Sequence, residues 1–100
     1  MKRLLIATGL LVLTAAQALA ASEADFKAAY AAAEAAEKEA AGLRNRWTAT
    51  EAALTAARQA GQKGDFDAAI ASAREAQALA KASVFQATSE KERWKDMVIR

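Results

Sequence analysis

The chain has 100 residues, 54% of them apolar by type, 14 basic against 12 acidic, and no histidine, cysteine or proline. Histidine- or cysteine-based nucleophiles, metal cages built on those side chains, covalent haem attachment and disulfide staples are therefore excluded. Alanine supplies 31 of the residues, a side chain that favours helix and buries little surface, so the composition describes a helical binding or structural protein.

Met1 to Ala20 reads as a cleavable export signal. Lys2 and Arg3 form a basic start, Leu4 to Leu13 an apolar run, and Ala18-Leu19-Ala20 a small-residue cleavage site. The apolar run is shorter than the ~20 residues of a bilayer span, so no membrane anchor is expected after cleavage. With no cysteine to carry a lipid, residues 21–100 are expected in the periplasm. Removal of Lys2 and Arg3 leaves 12 charges of each sign, interleaved along the chain. Nucleic acid and anionic membrane surfaces need a basic excess, so neither is an expected partner.

Ser22, followed three residues later by Asp25, predicts a capped helix start. From Glu23 the pattern reads as one helix to about residue 60, in which Gly42 is tolerated or marks a close approach. Gly61-Gln62-Lys63-Gly64-Asp65 predicts a turn, with Asp65 capping a second helix from about residue 66 to 99. A seven-residue frame puts Phe26, Ala33, Ala40, Trp47 and Leu54 on one seam position of the first helix, and Ala29, Ala36, Leu43, Thr50 and Ala57 on the other. Phe66, Ala73, Ala80, Ala87 and Trp94 line the second helix, with Ile70, Gln77, Val84, Lys91 and Val98 beside them.

These frames predict an all-α fold: a long, coiled-coil-like antiparallel two-helix hairpin over 21–100. Simple antiparallel pairing sets Leu54 against Ile70 and Ala71, Trp47 against Ala78 and Leu79, and Phe26 with Tyr30 against Trp94, Met97 and Val98. Two helices with so few large apolar side chains are marginal alone. A third surface is expected, from a second copy or from a different protein.

Trp47 and Trp94 fall on the seam and read as core or as interface anchors, while Phe85 falls off it. Phe85 with Leu79 is expected to mark an outward, partner-facing stripe, so Trp47, Leu79, Phe85 and Trp94 are the candidate partner-binding residues. Glu34, Glu37 and Glu39 read as a solvated face, since helical spacing does not wrap an oxygen cage round a cation. A hairpin offers no pocket for paired carboxylates, so no enzymatic activity, catalytic residue, metal or cofactor is expected.

Lys63 to Ile70, a Gly-Asp-aromatic turn before an alanine-rich helix, resembles the helix-turn-helix junction of a tetratricopeptide repeat. It occurs once and lacks the repeat's proline, so no repeat array is expected. Over about Ala41 to Val98, a longer series of features is similar to the small periplasmic SoxXA-binding proteins of the bacterial thiosulfate-oxidising system. It comprises Trp47 and Thr50, Ala56-Ala57, Gly64-Asp65-Phe66, Ala68-Ala69, the Ala73/Ala76/Ala80 ladder, Gln86-Ala87, Glu90 and Trp94-Lys95. That resemblance implies a cofactor-free accessory subunit, outside the enzyme classes, that binds the haem-bearing SoxXA cytochrome complex. The residues alone leave a second reading open: a structural envelope protein that self-associates, as a homodimer or helical bundle.

Overall fold

The computed structural model describes residues 21–98, so the expected export signal at 1–20 lies outside the described residues. Three helices make up the fold: α1 (Glu23–Gly42), α2 (Thr48–Gln62) and α3 (Phe66–Val98), with no strand among the described residues. The all-α class is as expected, but the single helix expected over 23–60 is two helices, and the two-helix hairpin gives way to three packed helices.

Ser22 starts α1 with a complete capping box: its Oγ accepts from the Asp25 amide at 3.1 Å, and its own amide donates to Asp25 Oδ2 at 3.2 Å. The helix ends in a paired hydrogen-bond motif. The Arg44 amide donates to the Ala41 carbonyl and the Asn45 amide to the Ala40 carbonyl, both at 3.0 Å, with Arg44 in the left-handed region at φ 58°. Gly42, the last helical residue, has open space around its α-carbon, so the break comes from Arg44 two residues on and Gly42 is merely tolerated.

α2 closes with the same motif, in which Gly64 at φ 80° donates to Gly61 and Asp65 to Ala60. Asp65 Oδ1 then accepts from the Ala68 amide at 3.3 Å and starts α3.

Side-chain contacts set the packing order. Phe26 at the start of α1 lies against Phe66 at the start of α3, with ring centroids 6.2 Å apart. It also presses on Gly61, where an added β-carbon would come within 2.6 Å of the ring. At the other end of α1, Asn45 Nδ2 donates to the Ser83 carbonyl at 2.7 Å and to Gln86 Oε1 at 3.3 Å. Thus α1 runs parallel to α3 and α2 runs back between the same two levels. A third packed helix thus comes from the chain itself.

The core is built of small side chains. Ala33, Ala36 and Ala40 of α1, Ala53, Leu54 and Ala57 of α2, and Ala69, Ile70, Ala73, Ala76 and Ala80 of α3 are buried. Leu54 joins Ala33, Ala53 and Ala76 in one cluster, with Tyr30 and Leu79 packed against it. Methyl groups at the seam let three backbones approach closely, which recovers in dispersion contacts some of what alanine lacks in area.

Candidate functional site

The covering of α3 by α1 and α2 runs out near Ser83. Ser83 is wholly buried, and its Oγ donates back to the Ala80 carbonyl at 2.8 Å. From Glu90 to Met97 every side chain is exposed. Three large apolar groups stand on the uncovered part: Phe85 at 73% exposure, Trp94 at 66% and Met97 at 76%.

Helical geometry divides them between two faces. Trp94 lies seven residues after Ala87 and fourteen after Ala80, about two and four turns, so it continues the stripe that is buried lower down. Phe85 is nine residues from Trp94, about two and a half turns, and faces the opposite way. The stripe side ends in an open notch of about 570 Å³ walled by Trp94, Ala87, Glu90 and Lys91 of α3 and by Gly42 to Asn45 of the loop. Leu43, expected at a seam position, is 38% exposed in that notch.

Of the four candidate partner-binding residues, the structure places Phe85 and Trp94 on the free end of α3 and the other two outside it. Trp47 is the half-buried, extended residue just before α2, at φ −100° and ψ 141°, and makes no side-chain cap. Leu79 is half-buried against the Leu54 cluster, which removes it from the expected outward stripe. The expected clustering of Phe26 and Tyr30 with Trp94 and Met97 is also absent. Phe26 instead meets Tyr30, at 5.7 Å between ring centroids, and Phe66 at the other end of the bundle.

A second feature was hidden in the charge pattern. Glu37, expected on a solvated face with Glu34 and Glu39, is only 7% exposed, while both neighbours are exposed. It lies in a cleft of about 570 Å³ between α1 and α2, whose other polar walls are Tyr30, Glu34, Lys38, Arg46, Glu51 and Arg58. Among the described residues neither Glu37 carboxyl oxygen has a hydrogen-bond partner when ionised, because the group it faces, Glu51, is also an acceptor. Burial first, and then the neighbouring Glu51, push Glu37 from its ordinary 4.5 up to about 7, against the opposing pull of Arg46. Arg46 pairs with Glu51 at 3.7 Å.

Further along the cleft, Arg58 Nη1 donates to the Tyr30 hydroxyl at 2.7 Å, and this contact raises the guanidinium's pKa above its ordinary value. Among the described residues no cluster of three or more Asp or Glu side chains could hold a metal ion. No described helix is long and apolar enough to cross a membrane. Compared with protein-family models, curated proteins and solved structures, the chain matches none.

Proposed function

We propose that the protein is an exported, cofactor-free accessory subunit that acts by binding another protein through the free end of α3. Its partner, on this reading, is the haem-bearing SoxXA cytochrome complex, and its role is to support thiosulfate oxidation in the periplasm. The observation that carries partner binding is the exposure of Phe85, Trp94 and Met97 on a helix end that α1 and α2 leave uncovered. Exposed aromatic anchors beside a notch are what a protein interface uses. The choice of SoxXA rests on the resemblance between Ala41 and Val98.

One observation favours a second reading, self-association. Trp94 continues the same stripe of α3 that receives α1 and α2, so a helix of another copy could take their place beyond Ser83. Mixing experiments separate the two. On the first reading SoxXA raises the melting temperature of the protein, and Phe85→Ala or Trp94→Ala weakens that rise more than Glu39→Ala, an exposed charge on α1. On the second, sedimentation shows a concentration-dependent dimer and SoxXA has no effect. A monomer indifferent to SoxXA would contradict both.

A further inference from the structure

We propose that Glu37 and Glu51 form a proton-dependent clasp between α1 and α2, tight when the two carboxyls share one proton and loosened when that proton passes to solvent. The proposal does not depend on which protein the free end of α3 binds. Its basis is geometric: a carboxyl nine-tenths buried, with both oxygens unpartnered as acceptors, faces a second carboxylate across a helix–helix cleft. A proton on Glu37 turns it from a second acceptor into a donor to Glu51, which pairs one Glu37 oxygen and removes the repulsion between two carboxylates. Loss of the proton leaves a buried anion beside another anion. That arrangement is costly unless the helices part enough to admit water.

The surrounding charges do not remove the problem. From α1 itself, Glu34 and Lys38 line the cleft, and both are exposed. Arg46, from the loop, is paired with Glu51 at 3.7 Å and moderates the repulsion. From α2, Arg58 is occupied by Tyr30 and by Thr55, whose Oγ1 accepts from Nη2 at 3.1 Å. No α3 side chain lines the cleft. The folded protein holds the Glu37 proton up to about pH 7, whereas an unfolded glutamate loses it near 4.5. Between those values the folded state binds more protons, so stability falls as pH rises through this window and levels off above it.

The effect is specific to α1, because Glu37 sits one turn from Ala33 and Ala40, the residues that seat this helix in the core. The test compares the protein with Glu37→Gln from pH 4.5 to 8.5, by denaturant unfolding and by amide hydrogen exchange corrected for its intrinsic pH dependence. The unmodified protein should show its unfolding constant rise by up to about 100-fold across the window, with faster exchange at Ala33 to Ala40. Glu37→Gln, whose amide donates to Glu51 at every pH, should remove that rise. A carboxyl carbon NMR titration of the unmodified protein gives an independent reading: a Glu37 midpoint above pH 6 supports the clasp. A midpoint below 6, or a Glu37→Gln variant with the parent's pH profile, would overturn it.

Discussion

The two ends of α3 are built from opposite materials. From Ala69 to Ser83 the helix presents alanines, one isoleucine and a serine to its neighbours, and these are buried. Past Ser83 it carries Phe85, Trp94 and Met97, and these are exposed. In most domains large apolar side chains make the core; here the core is mostly alanine around Leu54 and Ile70, and the large apolar groups of α3 past Ser83 are held outside it. The difference assigns separate tasks to one continuous helix. Its first half packs against the other helices, while its second half carries apolar surface that α1 and α2 leave uncovered.

Substitutions on either side of Ser83 should therefore behave in opposite ways. The largest expected effect is at Ala76, fully buried among Ala33, Ala53 and Leu54. Ala76→Leu forces three helices apart and should cost about 1–3 kcal/mol or more of stability, read by denaturant unfolding. Trp94→Ala and Phe85→Ala, on the uncovered end, should leave the stability of the isolated protein within about 0.5 kcal/mol. Each should weaken partner binding by more than about 1 kcal/mol in a titration. A loss of stability equal to that of Ala76→Leu would show that the end of α3 is covered within the chain.

The smallest effects are expected at the two turns that let α1 and α2 fold back on α3. Gly64→Ala puts a β-carbon on a residue at φ 80° and should cost about 1 kcal/mol. Arg44→Gly relieves the same conformation at φ 58° and should gain up to about 1 kcal/mol, so the two variants should shift the melting temperature in opposite directions. A common direction would mean that the two turns are not equivalent.

Those turns also explain which part of the fold was legible from the residues. They use one hydrogen-bond motif, yet only the second carries its usual signature, a left-handed glycine followed by a capping aspartate. The first places arginine in the left-handed position, and nothing in Gly42 to Trp47 distinguishes that choice from a continuing helix. Gly42 gives no help, because it is tolerated as the last residue of the helix and the break comes at Arg44. A seven-residue frame carried through the break then assigned Leu43 to a seam, and simple antiparallel pairing of one unbroken helix set Phe26 against the wrong end of α3.

The contrast between Phe85 and its neighbours was legible, because its position off the alanine stripe depends only on spacing within one unbroken helix. Glu37 was not. Its neighbours Glu34 and Glu39 are exposed, and burial between α1 and α2 exists only once the chain turns at Arg44.

The division of α3 at about Ser83 is tested most directly by residue-resolved amide hydrogen exchange on the protein at micromolar concentration, with and without SoxXA. Without a partner, the account predicts strong protection from Ala73 to Ser83 and fast exchange from Glu90 to Met97, since a helix end with no packed face opens locally. If SoxXA is the partner, as proposed, adding it should slow exchange in that second segment and leave the first unchanged. Uniform protection along the whole of α3 in a monomer without a partner would contradict it.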